Sequence, residues 1–286
     1  MANFINKYSS ITAYNADETK EYPNVSYLET ENEVKWQATE PIDQEHVVAK
    51  FNITNTTGVT KILNEASNIT YMIIDGVQQQ SVTTGYTFSS TGTHKVKYKI
   101  NSNWNGRNAF RETDFLVSVT IPDSVTSIGS VAFWRCRDLI TIHLPNSLTS
   151  IDSNVFTNCS GLTSIEIPSG VTSIGNGVFT NCSGLTSINI PSGVTSINSD
   201  VFYNCKGLIT ASMGSNIINI GSGAFGQCTN LNDITITTIV PPTIDRFLTF
   251  AGTPANMIIY VPAASVNAYK TAANWSSYAS RIRPIQ

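Results

Sequence analysis

The stretch Val155-Phe-Thr-Asn-Cys-Ser-Gly-Leu-Thr-Ser-Ile-Glu-Ile-Pro-Ser-Gly-Val-Thr-Ser-Ile-Gly-Asn-Gly177 recurs over residues 178–200, and the two copies agree at 19 of 23 positions. Self-similarity at a fixed period of about 20 to 50 residues is typical of repeat proteins, because one such unit cannot bury its apolar face alone. This stretch therefore predicts that the middle of the chain is a solenoid of stacked 23-residue units.

Four columns of residues keep the same period outside that stretch. Stacking turns each column into a continuous internal ladder. The columns are the cysteines Cys136, Cys159, Cys182, Cys205 and Cys228, the phenylalanines Phe133, Phe156, Phe179, Phe202 and Phe225, the isoleucines Ile128, Ile151, Ile174, Ile197 and Ile220, and the leucines Leu139, Leu162, Leu185, Leu208 and Leu231.

Each unit contains one segment that alternates apolar and polar residues as a half-buried strand does, as in Leu162-Thr-Ser-Ile-Glu-Ile167. Stacked roughly 4.8 Å apart, these segments are predicted to form one parallel sheet. A proline follows four of them and ends the strand, because proline has no N–H to donate. The equivalent segments are Leu116–Ile121, Leu139–Leu144, Leu185–Ile190, Leu208–Met213 and Leu231–Ile236.

Two further columns contain only Gly, Asn and Asp, the residues that most easily adopt positive φ. They predict two tight, left-handed corners in each repeat. The first column is Gly129, Asp152, Gly175, Asn198 and Gly221, and the second is Asp138, Gly161, Gly184, Gly207 and Asn230.

Four regions are expected in a mainly β chain: an N-terminal anchor or assembly segment (1–40), a small Ig-like β-sandwich (41–103), the repeats (104–240) and a C-terminal cap (241–286). Between residues 42 and 100, alternating runs are separated by turn signals, which favours several short strands. This block would cover the open edge of the solenoid sheet. In the cap, residues 257–262 predict a strand and residues 263–282 a helix.

Residues 1–38 contain more charge than the rest of the chain and several aromatic side chains. A disordered tail is usually poor in aromatic residues, so this segment is expected to be ordered against its own chain or a partner. The expected anchor residues are Phe4, Tyr8, Tyr14, Tyr22 and Trp36.

The composition excludes several classes of protein. Charged residues make up 13 %, the net charge is −3 and the pI is about 5.6, which argues against nucleic-acid binding. No apolar run approaches the roughly 18 residues of a membrane-spanning helix. The N-terminus lacks a secretory signal, so the chain is expected either to have lost one or never to have used that route.

The sequence predicts neither a catalytic site nor a metal site nor a cofactor. The cysteines are expected to be buried, reduced thiols, because their number is odd and laddered neighbours stand too far apart for disulfides. The three histidines, His46, His94 and His143, have no catalytic partner at a recognisable spacing. We therefore expect a protein that is not an enzyme.

Two surfaces are candidate binding sites. The outward face of the predicted strands is the usual binding platform of a solenoid, although it could equally be a solvated sheet. Its candidate residues are Thr141, His143, Ser164, Glu166, Ser187, Asn189, Thr210, Ser212 and Asp233. The second candidate is the turn edge after the phenylalanine column, where aromatic and basic residues occur. They are Trp134, Arg135, Arg137, Tyr203 and Lys206.

The repeat pattern Ile-Pro-Ser-Gly-Val-Thr-Ser-Ile-Gly-x-x-Val-Phe-x-x-Cys-x-x-Leu-x-x-Ile, between residues 105 and 240, resembles BspA-type leucine-rich repeats. The segment Ile259 to Ala279 resembles the closing segment common in such proteins. The resemblance implies a leucine-rich-repeat solenoid and a non-enzymatic role in adhesion or protein binding. The N-terminus, with Phe4-Ile-Asn-Lys-Tyr8 and Asn32-Glu-Val-Lys-Trp36, is similar to virion proteins in phages of gut bacteria, which implies an anchor to a particle.

These observations favour a binding or adhesion protein that displays its repeats from a larger assembly, such as a phage fibre, tail or head decoration. The expected partners are a protein or cell-surface ligand and other virion subunits that contact residues 1–38. A homo-oligomer is left open. The alternatives are a bacterial cell-surface adhesin and a purely architectural virion subunit. The expected location is the virion or the cell surface, without membrane insertion.

Overall fold

Two compact units, Met1–Asp43 and Gln44–Gln286, make up the chain in a computed structural model that describes residues 25–30, 33–38, 43, 45–245 and 248–286. In the first unit, β1 (Val25–Thr30) and β2 (Glu33–Ala38) form an antiparallel hairpin with Tyr27 opposite Trp36. Of the predicted anchor residues, four lie outside the described residues, so the anchor stays a prediction. They are Phe4, Tyr8, Tyr14 and Tyr22.

The regular elements of the second unit are almost all short strands, joined by turns. Its helical segments are a 3-10 turn at Ala263–Ser265, the helix α1 (Val266–Thr271) and a 3-10 segment at Trp275–Arg281. Its strands are β3 (His46–Ile53), β4 (Thr60–Lys61), β5 (Ile69–Ile74), β6 (Val77–Gln78), β7 (Gly85–Tyr86), β8 (Gly92–Ile100), β9 (Leu116–Thr120), β10 (Ser127–Ile128), β11 (Thr141–His143), β12 (Ser150–Ile151), β13 (Ser173–Ile174), β14 (Ser187–Ile190), β15 (Ser196–Ile197), β16 (Thr210–Met213), β17 (Asn219–Ile220), β18 (Asp233–Ile236), β19 (Thr243–Ile244), β20 (Ile258–Val261) and β21 (Ile282–Pro284).

Residues 46–100 share a six-stranded sheet with the first two repeats, in the order β11-β9-β3-β8-β5-β6. Strand β3 pairs antiparallel with both β8 and β9, and β9 pairs parallel with β11. Alternation along β3 directs Val47, Ala49 and Phe51 inward, where all three are fully buried. Because β3 hydrogen-bonds to β9, the N-terminal edge of the repeat sheet is covered. An uncovered edge strand would be prone to pair with another chain.

The remaining repeats form the predicted mainly β solenoid with parallel sheets. One five-stranded sheet has the order β14-β16-β18-β20-β21, and the second side of the solenoid consists of the short stacks β10-β12-β13 and β15-β17-β19. The phenylalanine column is buried and stacked from Phe110 to Phe250, with neighbouring ring centroids 5.2 to 5.9 Å apart. This ladder forms the central core of the solenoid.

The prediction of one continuous parallel sheet is wrong at the segment 162–167, where no strand forms. The backbone groups of Ser164 to Ile167 make no backbone hydrogen bond within the described residues, and the flanking bonds around Thr163 are long, at 3.4 and 3.3 Å. Ile165 is only partly buried, whereas Ile142 and Ile188 on either side are buried. The sheet is therefore interrupted between β11 and β14.

The predicted left-handed corners are also wrong in position. The residues with positive φ occupy two other columns. The glycines of the predicted corners instead allow the backbones of neighbouring repeats to approach closely. A Cβ on Gly161 would lie 2.5 Å from the carbonyl oxygen of Arg137, and one on Gly184 would lie 2.6 Å from that of Ser160. The left-handed columns are Asn108, Val131, Asn154, Gly177, Asp200 and Gly223, and Glu112, Arg135, Asn158, Asn181, Asn204 and Gln227.

The C-terminal cap contains the predicted strand, but the helix predicted over residues 263–282 is broken. Its α-helical part is α1, and Asn274 adopts a left-handed conformation with φ of 66° before the last 3-10 segment. Strand β21 then pairs in parallel with β20. The buried rings of Tyr269 and Trp275 pack edge to face at 5.1 Å and close the end of the phenylalanine ladder.

Candidate functional site

Nine polar side chains predicted from the sequence line two adjoining cavities on one face of the repeats, which we call the sheet face. The cavities measure about 800 and 600 Å³. Both are bordered by the segment 164–168, where the sheet is interrupted. The nine residues are Thr141, His143, Ser164, Glu166, Ser187, Asn189, Thr210, Ser212 and Asp233.

Strand alternation explains why these side chains point outward. In β14, Ile188 and Ile190 are buried while Ser187 and Asn189 are exposed, and β16 and β18 pair with it in register so that the same alternation continues. The parallel pairing then aligns equivalent side chains into two rows across the sheet. The sheet face is therefore a direct consequence of the 23-residue period.

Small polar groups dominate the chemistry of the sheet face. The Ser212 hydroxyl donates a hydrogen bond of 2.6 Å to Asn189 Oδ1, and the Asn232 amide donates one of 2.9 Å to Asp233 Oδ2. His143 and Glu166 are one repeat apart and are both exposed. With hydroxyl, amide, imidazole and carboxylate groups together, the surface can both donate and accept hydrogen bonds.

Both ends of the sheet face carry aromatic residues that the sequence interpretation did not place there. At one end, Tyr260 on β20 pairs with Thr235 and therefore points to the same side. At the other end, Lys50 on β3 pairs with Ser118 on β9. His46 lies four residues before Lys50 on the same strand and therefore points to the same side, where its ring nitrogen Nε2 is 3.2 Å from the Tyr71 hydroxyl. Extending the rows of outward positions by one more unit, into the predicted strand 257–262, would have identified Tyr260.

The turn-edge residues do not form one site. The Trp134 ring lies under the guanidinium groups of Arg111 at 4.8 Å and Arg135 at 4.7 Å. Arg135 also forms a 3.2 Å ion pair with Glu112. Tyr203 and Lys206 lie three repeats further along the solenoid, so the structure separates them from the cluster around Trp134.

The cysteine column is structural, as predicted. All five thiols are free and buried, and each Sγ donates to the carbonyl oxygen of a phenylalanine in the preceding repeat at 2.8 to 3.1 Å. Burial raises the pKa of Cys136, Cys182 and Cys228 from 9.0 to about 12. The thiols are therefore protonated at neutral pH and are poor nucleophiles.

The described part of the chain contains no group of three or more His, Cys, Asp or Glu side chains that could hold a metal ion. Among the same residues, no helix is long and apolar enough to cross a membrane.

Comparison with known families identifies the repeats. Residues 103–232 match the family model of the BspA type leucine rich repeat region in six copies. This match confirms the resemblance of the repeat region. No curated protein matches the chain.

Several solved structures of bacterial proteins are similar to this chain. A leucine rich repeat protein of T. pallidum shares 26 % identity over 57 % of this chain and 69 % of its own, with a TM-score of 0.42. A leucine-rich repeat protein from Eubacterium ventriosum ATCC 27560 shares 22 % over 51 % and 47 %, with a TM-score of 0.41. A leucine rich cell surface protein from Faecalibacterium prausnitzii A2-165 shares 24 % over 62 % and 61 %, with a TM-score of 0.33. The chain spans less than two thirds of the length of the last two proteins.

Proposed function

Because residues 103–232 consist of six BspA-type leucine-rich repeats, we propose that this protein is a non-enzymatic binding or adhesion protein and that its sheet face contacts the ligand. The observation that carries the proposal is the alignment of nine polar side chains along two open cavities. Solenoids commonly use such extended faces for binding. A protein or cell-surface ligand is the expected partner.

The character of the cavities supports a polar ligand. Small-molecule pockets are usually lined by apolar and aromatic side chains, whereas polar groups provide the larger share of the lining here. No cofactor, nucleic acid or membrane insertion is part of the proposal.

A double substitution on the sheet face tests this proposal. Glu166→Lys combined with Asn189→Lys places two positive charges in the larger cavity, and both positions are exposed, so the fold should persist. Binding of fluorescently labelled full-length protein to panels of bacterial and epithelial cells would be measured by flow cytometry. We expect saturable binding that the double variant weakens by about tenfold, a change of ~1.4 kcal/mol.

Lys206→Gln is the matched control, because Lys206 is exposed and lies outside both cavities. If the control variant keeps saturable binding and the double variant loses it, the sheet face is supported as the contact surface. Equal binding by the double variant, or no saturable binding to any cell panel, contradicts it.

A finer proposal concerns the assembly that displays the repeats. The similarity of residues 1–38 to the N-termini of phage virion proteins supports anchoring to a particle, and a bacterial cell-surface adhesin is the alternative. Light scattering of the full chain beside a variant that begins at residue 41 separates the two. Display through self-assembly predicts a full-length oligomer that becomes a monomer on truncation, with a mass below the 31.0 kDa of one full chain. Monomers in both cases would contradict self-assembly and favour the adhesin.

A further inference from the structure

A third cavity, of about 480 Å³, lies where the strands of residues 46–100 meet the first two repeats. Phe115, Val117 and Ile140 give it apolar walls, and Arg137 and Asp138 stand at its border. It is separate from the sheet face, because it shares no lining residue with the two cavities there. The proposed function leaves this cavity unused.

Ile140 gives the cavity an exposed apolar border. Its side chain is 51 % exposed, although the equivalent position is threonine in each of the next two repeats, at Thr163 and Thr186. The 23-residue fold therefore does not require an isoleucine at this position. A large apolar side chain beside an apolar cavity is typical of a contact surface.

Arg137, at the border of this cavity, is close in the chain to a tryptophan that holds two further arginines. Arg135 and Arg137 are two residues apart, so their Cα atoms lie within about 7 Å. The Arg111 guanidinium is held over the Trp134 ring at 4.8 Å, and that of Arg135 over the same ring at 4.7 Å. Stacking on an indole fixes a guanidinium while leaving its N–H donors free for a carboxylate.

Positive charge is concentrated at this junction. Four of the five Lys and Arg residues between 104 and 240 lie in the first two repeats, and Lys61 joins them by donating to the Arg111 carbonyl oxygen at 2.6 Å. The first two repeats and Lys61 together hold these five positive side chains and four carboxylates, at Glu112, Asp114, Asp123 and Asp138, in a chain with a net charge of −3. Within the described ranges, Arg111 and Arg137 have no ion-pair partner.

We propose that this cavity and its arginines form a docking site for an acidic peptide segment of a protein partner. An apolar side chain of the peptide enters between Phe115, Val117 and Ile140, and flanking Asp or Glu side chains pair with Arg111 and Arg137. A peptide fits better than a glycan, because the Trp134 ring already carries two guanidinium groups and offers little surface for a sugar ring. Trp and Arg are also enriched among the residues that dominate protein–protein binding.

Selection from a random dodecamer peptide library against the full-length protein tests the site directly. We expect enrichment of peptides in which Asp or Glu flanks a Leu, Ile or Phe. The enriched peptides, labelled with fluorescein, should bind the Arg111→Gln/Arg137→Gln variant at least tenfold more weakly in fluorescence anisotropy. Ile140→Glu should weaken binding similarly, because it places a like charge at the cavity.

Lys206→Gln is the matched control, since Lys206 occupies the column of Arg137 three repeats away; it should leave peptide binding unchanged. Circular dichroism confirms that each variant is folded. A selected pool without acidic enrichment, or peptides that bind the arginine variant and the full-length protein equally, would overturn the proposal. Binding of heparin that the arginine substitutions abolish, with no acidic peptide selected, would also overturn it and assign the surface to polyanionic glycans. The sheet-face variant Glu166→Lys/Asn189→Lys should bind these peptides normally, so the two proposals fail independently.

Discussion

At the scale of single residues, two columns of left-handed backbone define the turns of this solenoid. Half of the second column is Asn, with hydrogen bonds from the Asn181 amide to Asn158 Oδ1 at 3.0 Å and from the Asn204 amide to Asn181 Oδ1 at 2.6 Å. Asn tolerates positive φ because its short side chain hydrogen-bonds locally. Val131, at φ of 56°, is the exception in the first column, since a β-branched residue is strained there.

Replacing Val131 by Asn should therefore stabilise the protein. The equivalent residue in the next repeat is Asn154, at φ of 59°, and the Val131 side chain is only partly buried. We expect the free energy of unfolding in urea to rise by about 1 kcal/mol, the usual scale of left-handed strain. The converse change, Asn154→Val, should lower it by a similar amount. A lower stability for Val131→Asn would show that packing of the valine outweighs its backbone strain.

Thr113 offers a second test at this scale. It stands where the later repeats have cysteine, is fully buried, and its Oγ1 has no hydrogen-bond partner. Thr113→Val removes the unpaired hydroxyl and keeps the shape, so we expect about 1 kcal/mol of stabilisation. Thr249 is equally buried, but its hydroxyl donates to the Gly221 carbonyl oxygen at 3.1 Å. Thr249→Val should therefore destabilise the protein, and urea denaturation of both variants measures the contrast.

At the scale of the repeated element, each of the five units from Phe133 to Leu231 contributes one ring, one thiol and one leucine to ladders that run through the core. The thiols lie in apolar surroundings and donate to phenylalanine carbonyl groups, so the folded chain keeps their protons. Burial raises the pKa of Cys182 from 9.0 to about 12. The unfolded chain releases these protons at lower pH than the folded chain does.

This difference predicts that the protein loses stability in alkali. A pKa that folding raises contributes stability that is present below the unfolded value of 9.0 and is lost as pH rises toward about 12. Cys136, Cys182 and Cys228 should each contribute a loss of at most about 1.4 kcal/mol per pH unit in that window. Urea denaturation between pH 8 and 11 measures the slope, and Cys182→Ala should make the slope shallower by one thiol's share.

Thiol reactivity is the control for that interpretation. At pH 8 a thiol reagent should leave all five cysteines of the folded protein unmodified and should label all five in urea. Rapid labelling of the folded protein would show that the column opens without global unfolding, and the alkaline slope could then not be assigned to buried thiols.

Across the whole molecule, stability is a sum of contacts between neighbouring units, because a solenoid has few contacts between distant ones. The second unit of the chain begins with a sheet that covers one end of the ladder and finishes with the Tyr269 and Trp275 rings at the other end. Units between these caps can therefore be removed without exposing a new edge.

Deletion of residues 155–177 should thus give a folded but shorter solenoid. Residues 178–200 agree with the deleted unit at 19 of 23 positions, so each new neighbour meets nearly the same side chains. We expect cooperative unfolding in urea with a lower midpoint, because one interface between units is lost. Deletion of 20 residues instead of 23 destroys the register of every later column and should abolish cooperative unfolding. Equal behaviour of the two deletions would contradict the ladder as the source of stability.

The sequence alone determined the solenoid, its inward columns and its outward face. Period and alternation are local properties of a chain, so they were enough to assign Phe156, Cys159 and Leu162 to the core, and His143 and Glu166 to the surface. The reduced state of the thiols followed from the same spacing. Each of these features depends on residues within one unit or its immediate neighbour.

The tertiary structure alone decided how the units meet. The pairing of β3 with β9, the interruption at Ser164–Ile167 and the apolar cavity beside Ile140 all depend on the distances between backbones. The role of the glycine columns also could not be predicted from the sequence. Gly161 allows the backbone to pass close to the Arg137 carbonyl oxygen and does not form a left-handed turn. Glycine permits both arrangements, and only the packing of one repeat on the next selects between them.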